Sequence, residues 1–264
     1  MRRLIGWLRL IGVLIGLLLI VVTLAPVQML ILRIAPARRR ALPFFFHRAL
    51  LAMLRIRRTM HGAPAAGGVL FVSNHTSWTD IPLLGAELNG VFVAKSEVSR
   101  WPLLGALARL DGVLFVDRER IQQSGGQAAA IADRLHRGDG VILFPEGTTS
   151  DGHTMLPFKT SLFAAASAAE DVVVQPVSLA YTRIGRTRTS AADRRQIAWI
   201  GDESLLPHAL HLLGQPTLTA EVIFHPPVRR ADFADRKALA QHCQQVIAAG
   251  LDRLLGDQAA KRSV

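Results

Sequence analysis

Val69-Leu70-Phe71-Val72 runs directly into Ser73-Asn74-His75-Thr76-Ser77-Trp78-Thr79-Asp80. An unbroken run of apolar, mostly β-favouring side chains predicts a strand buried on both faces, and the polar residues after it predict an abrupt exit from the sheet. The pattern recurs in Val91-Phe92-Val93, Val113-Leu114-Phe115-Val116, Val141-Ile142-Leu143-Phe144 and Val172-Val173-Val174. Helical patterns lie between these runs, near residues 80–89, 102–109, 119–137 and 160–169. Such alternation predicts βαβ units and hence an α/β fold, a mainly parallel sheet flanked by helices. Strands near 195–200 and 217–225 and a closing helix near 233–254 complete the expected domain.

In a parallel sheet, ligands gather at the carboxyl ends of the strands, and three polar clusters sit there. The first is Asn74-His75 with Asp80 five residues on. At that spacing the carboxylate can accept the imidazole Nδ1 hydrogen bond, fix the tautomer and leave Nε2 free to take a proton. An ordinary imidazole titrates near ~6.5, which suits a base at neutral pH; taken alone, the pair equally describes a helix cap beside a structural histidine. The second cluster, Gly112 to Arg118, ends a strand with a guanidinium able to grip an anion bidentately, or to join a surface ion pair within Asp117-Arg118-Glu119-Arg120. The third, Phe144-Pro145-Glu146-Gly147-Thr148-Thr149-Ser150-Asp151-Gly152, offers hydroxyls and backbone N–H groups on a Gly-loosened turn, an anion cradle or simply a loop.

The 264-residue chain is half apolar and carries a formal charge of +11. That length suits one full-sized domain plus a short appendage. Eleven arginines precede Asp80, the first acidic residue, and from Asp80 onward twenty basic residues face twenty acidic ones. The excess charge therefore belongs to the N-terminal segment. Its company is apolar, with no charge from Leu10 to Leu32, which points to a bilayer surface and away from nucleic acid. As a helix, Leu10 to Ala25 would extend ~24 Å before Pro26 interrupts it, and Val27 to Arg58 mixes Leu, Ile and Phe44-Phe45-Phe46 with arginine like an interfacial helix. One spanning helix, a pair of helices sunk into one leaflet, and a cleaved signal peptide are all compatible with this pattern. The larger arginine cluster, Arg33 to Arg58, favours a domain on the cytoplasmic side. The expected division is a membrane helix and basic amphipathic segment over 1–60 and the α/β domain over 61–264, after a linker at Gly62 to Gly68.

Cys243 is the only cysteine, so no intrachain disulfide is possible; it reads as filler on a C-terminal helix. His208, His211 and His153 lack a completing ligand at recognisable spacing, and no metal is expected. Trp78 suits either an acyl channel or packing against the sheet.

Asn74-His75 with Asp80, Gly112 to Arg118, Phe144 to Thr148, and Val174-Gln175-Pro176-Val177 resemble, in this order, the four motifs of the glycerolipid acyltransferase family, over roughly residues 65–180. The resemblance implies an α/β fold, His75 as catalytic base and Asp80 as its partner. It further implies that Arg118, Glu146, Gly147 and Thr148 bind the acyl acceptor. The implied reaction moves a fatty acyl group from acyl-CoA or acyl carrier protein to the free hydroxyl of a lysophospholipid at the membrane, without a cofactor. Transfer is expected to be direct, since no Gly-x-Ser-x-Gly elbow exists to carry an acyl-enzyme.

The first expectation for the acceptor is 1-acylglycerol-3-phosphate. Phosphatidate-forming members, however, often carry arginine where this chain has Thr149, so that a phosphate contact is missing unless Lys95 or Lys159 supplies it. The stretch from Phe144 to Lys159 is also similar to bacterial lyso-ornithine-lipid acyltransferases, whose acceptor is zwitterionic. A noncatalytic lipid-binding protein on the same fold is the competing reading from another class.

Overall fold

In the computed structural model, which describes residues 2–116, 125–168, 172–201 and 203–256, the chain forms α1 (Arg2–Ile34), α2 (Ala41–Met53), β1 (Ile56–His61), β2 (Val69–Ser73), α3 (Asp80–Gly85), β3 (Gly90–Lys95), α4 (Leu104–Asp111), β4 (Leu114–Val116), α5 (Gly125–His136), β5 (Gly140–Leu143), β6 (Val173–Ile184), β7 (Thr187–Arg188), α6 (Ala191–Ile197), α7 (Leu205–Gly214), β8 (Leu218–Phe224), β9 (Val228–Arg229) and α8 (Arg236–Leu255). The sheet runs β1-β8-β6-β2-β5-β3-β4, with β7 and β9 paired onto β6. From β6 through β2, β5 and β3 to β4 every pairing is parallel, whereas β8 joins β6 antiparallel and β1 joins β8 parallel.

Alternation along β2 builds the two layers. Leu70 and Val72 face the side covered by Ile131 and Leu135 of α5 and by Leu239, Cys243 and Ile247 of α8. Val69 and Phe71 face the opposite side, against Leu83 and Leu84 of α3, Leu51 of α2 and Leu212 of α7. Continuous apolar runs follow from burial on both faces. Cys243 is buried on α8, where desolvation pushes its thiol up to about 12.

Several boundaries differ from expectation for identifiable reasons. Residues 195–200 do not form a strand. Ser190 and Asp193 make a reciprocal capping box that starts α6, and buried Ile197 and Ala198 are the apolar end of that helix. β6 extends far beyond Val172-Val173-Val174 and passes through Pro176, whose carbonyl accepts from His225 N. β1 hides in the arginine-rich segment because it is an edge strand with an alternating burial pattern; it spans the expected boundary at residue 60. The helix expected at 160–169 is a 3₁₀ helix over Thr160–Ala168.

α1 does not stop at Pro26. The proline removes one bond from the ladder, and the apolar residues on both sides carry the helix on to Ile34. At 33 residues α1 is ~50 Å long, and it is long and apolar enough to cross a membrane. It is also held to the domain at two distant points. Arg9 Nη1 donates to the carbonyls of Leu213 and Gln215 at 2.8 Å each. Gln28 Nε2 donates to Arg39 O at 2.8 Å and Leu110 O at 3.3 Å. Leu8, Ile11, Ile15, Leu18 and Leu19 remain exposed on the outer side.

Candidate active site

The end of β2 is locked before the chain turns. Asn74 Nδ2 donates to Leu179 O and its Oδ1 accepts from Leu179 N, both at 2.9 Å, so a side-chain amide continues the ladder between β2 and β6. His75 leaves the sheet from this anchor, and Asp80 opens the first turn of α3. Asp80 Oδ2 accepts from His75 Nδ1 at 2.8 Å, Thr76 N at 2.6 Å and Ser77 N at 2.9 Å. Its other oxygen, Oδ1, accepts from Tyr181 OH at 2.7 Å. The Asp80 side chain is fully buried, whereas that of His75 is 16% exposed. A buried carboxylate held by so many donors is fixed in place; the ring it orients has Nδ1 occupied and a side chain partly open to solvent.

The third cluster grips His75 from the other side. Phe144, just past β5, stacks on the imidazole with ring centroids 4.0 Å apart and planes 14° from parallel. Glu146 Oε1 accepts from His75 N at 2.7 Å, and Ser150 donates to His75 O through its backbone N at 2.7 Å and its Oγ at 3.1 Å. Both backbone polar groups of His75 are thereby satisfied, and no described residue hydrogen-bonds Nε2. The arrangement presents one imidazole nitrogen, on a rigid mount, at the carboxyl edge of the sheet.

Glu146, expected at the acceptor, is 2% exposed, and its second oxygen accepts from Leu156 N at 2.7 Å, so that its carboxyl group ties His75 N to Leu156 N. Burial lifts it to about 7, with Asp80 and Asp151 adding to the rise against the two amide donors. Gly147 adopts φ +76°, and a Cβ there would stand 2.9–3.1 Å from the Lys159 side chain. The Lys159 stem thus lies across the glycine. Thr148 is exposed beside it, while Thr149 is buried and bonds the Trp199 carbonyl. Lys95 ends β3 on the surface. Arg118, with the rest of 117–124, lies outside the described residues.

Sequence reasoning missed Tyr181, which reaches Asp80 across 101 residues; the available signal was that it is the only tyrosine and sits in an apolar run. Trp78 packs against the sheet and donates to His208 Nδ1 at 3.0 Å, and His208 Nε2 meets Ala198 O at 2.9 Å. His211 bonds Gln215 and His153 meets Arg194. Among the described residues no three metal-ligating side chains stand together.

The family model described as Acyltransferase matches residues 56–180. The lyso-ornithine lipid O-acyltransferase of Brucella abortus is 40% identical over 258 residues, covering 95% of this chain and 97% of the relative. The 1-acyl-sn-glycerol-3-phosphate acyltransferase of Neisseria gonorrhoeae is 34% identical over 71% of this chain and 72% of its own. The crystal structure of PlsC, the 1-acyl-sn-glycerophosphate acyltransferase of Thermotoga maritima, superposes with a TM-score of 0.72 at 21% identity, over 96% of this chain and 98% of that one, a likeness of fold.

Proposed function

The chain belongs to the glycerolipid acyltransferase family, and from that premise we propose that it transfers a fatty acyl group from a thioester donor, acyl-CoA or acyl carrier protein, to the free hydroxyl of a lyso-ornithine lipid. The observation that carries the choice of acceptor is the end-to-end likeness to a lyso-ornithine lipid O-acyltransferase, at higher identity and coverage than the likeness to a 1-acyl-sn-glycerol-3-phosphate acyltransferase. This displaces lysophosphatidate, the first expectation from the motifs.

The chemistry of the loop supports that preference. A phosphomonoester calls for several cations, whereas a zwitterionic amino-acid head group carries a single carboxylate. Thr149 turns its hydroxyl inward to Trp199 O. Arg194 is 8% exposed and directed to Thr189 O and His153. Among the described residues, Lys159, exposed across Gly147, is a cation placed to meet an acid group.

In the proposed mechanism His75 Nε2 removes the acceptor's hydroxyl proton as the oxygen attacks the thioester carbonyl. Asp80 stabilises the imidazolium that forms. The tetrahedral intermediate then collapses, the C–S bond breaks, and the imidazolium returns its proton to the departing thiolate. Thr148 and Gly147 border the acceptor beside Lys159, and Arg118 is retained from the motif resemblance as a further acceptor contact. α1, clamped to the domain near Arg9 and again near Gln28, lies along the molecule and sinks its apolar side into one leaflet, with the catalytic domain on the cytoplasmic face.

The test is a side-by-side assay of the purified protein with lyso-ornithine lipid and lysophosphatidate, each with acyl-CoA and acyl carrier protein donors. Acylation of the first acceptor in preference to the second is expected. Exclusive use of lysophosphatidate overturns the assignment.

A further inference from the structure

Tyr181 lies in the last third of β6, 2% exposed, with its ring in the apolar layer that also holds Phe71, Leu179 and Val222. The chain has eleven phenylalanines and this one tyrosine, so aromatic filling alone does not account for the hydroxyl. A phenolic O–H taken into such a layer is costly unless it is bonded. This one has two partners: it donates to Asp80 Oδ1 at 2.7 Å and meets Thr79 Oγ1 at 2.5 Å. Because Tyr181 donates to Asp80, Thr79 is the donor to Tyr181, which gives a directed chain Thr79 → Tyr181 → Asp80 that ends on the carboxylate holding His75. The pairing of β6 with β8 slips between Tyr181 and Arg183, an irregularity of the kind that re-aims a strand side chain beside a site.

We infer that Tyr181 is a positioning residue for acyl transfer, pinning Asp80 through the carboxylate oxygen that faces away from the histidine. Oδ2 alone carries His75 and the two backbone amides. Without a donor on Oδ1 the carboxylate is held by Oδ2 alone and loses its second anchor against rotation about the Cβ–Cγ bond, a rotation that would carry the imidazole with it. The hydroxyl stays protonated in this role, since burial and the neighbouring Asp80 charge hold Tyr181 well above its ordinary range.

The inference rests on the proposed His75–Asp80 chemistry, and a double-mutant cycle separates the two. Tyr181→Phe, Asp80→Asn and the double variant are assayed for kcat and KM with lyso-ornithine lipid. Tyr181→Phe is expected to lower kcat about tenfold with KM within about twofold, the low end for a hydrogen bond to a charged group. In the Asp80→Asn background the same change is expected to cost less than about twofold, because the effect acts through the carboxylate. An equal-fold loss in both backgrounds, or a wild-type kcat for Tyr181→Phe, overturns the inference. A wild-type kcat for Asp80→Asn overturns the underlying mechanism instead.

Should Tyr181→Phe lack a cooperative melt, Thr79→Val is carried through the same cycle and judged by the same criterion, with a loss of about threefold expected. The single tyrosine also permits a direct optical titration at the tyrosinate band. Absorbance in the wild type is expected to stay flat until the protein unfolds, and Asp80→Asn is expected to bring the transition to lower pH. A wild-type transition at tyrosine's ordinary value is the contrary result.

Discussion

Replacing Asp80 with asparagine keeps the size of the side chain and removes its charge. The amide oxygen can still accept from His75 Nδ1, Thr76 N and Ser77 N, as Oδ2 does now, so the ring's tautomer is retained. What is lost is the attraction between the carboxylate and the imidazolium of the proposed transfer. With the atoms in contact at 2.8 Å the charge centres stand ~3.5 Å apart, and at an effective dielectric near 20 their attraction is about 5 kcal/mol. The amide dipole recovers part of it, leaving about 3 kcal/mol and a fall in kcat of about 10²-fold with KM little changed. Solvent does not soften the loss, since the carboxylate is fully buried. The assay is acyl transfer to lyso-ornithine lipid in mixed micelles, with melting temperatures measured on the same preparations. Loss of activity should come with an unchanged or higher melting temperature, because a buried charge has been removed. A kcat within threefold of wild type would show that the carboxylate does not serve the histidine.

Four further outcomes follow from neighbouring groups. Because burial lifts Glu146 from 4.5 to about 7, the folded chain keeps a proton that the unfolded chain releases, and the contribution of Glu146 to stability falls as pH rises from about 4.5 to about 7. Glu146→Gln abolishes that fall, so its melting temperature relative to wild type should climb across this window; a constant difference refutes the reasoning. Burial lowers His208, so its contribution is present above about 6.5 and is lost as pH drops further. His208→Gln should flatten the acid side of the melting curve, and an unaltered slope contradicts this. Lys159→Met should raise the KM for lyso-ornithine lipid about tenfold while kcat stays within threefold, as expected of a head-group contact; an unchanged KM removes Lys159 from the pocket. Tyr181→Phe completes the set through the cycle described above.

The parts of this fold that could be read in advance are those whose neighbours in space are also neighbours in sequence or share a repeating pattern. β2 and β5 were legible because burial on both faces demands continuous apolar runs. The His75–Asp80 pair was legible because five residues of chain close it. β1 was not, since an edge strand bearing Arg57 and Arg58 reads as a basic surface segment. The start of α6 had its signal in Ser190-x-x-Asp193, but the apolar residues at its end imitate a strand. The inward turn of Glu146 and the bond from Tyr181 depend on contacts 71 and 101 residues apart, which only the strand order β6-β2-β5 brings together.

In the proposed transfer, Nε2 of His75, on a ring whose side chain is 16% exposed, takes the acceptor's proton. Membranes containing His75→Ala, matched to wild type for protein amount and melting temperature, should acylate lyso-ornithine lipid at least about 10³-fold more slowly. Transfer at the wild-type rate would contradict the account.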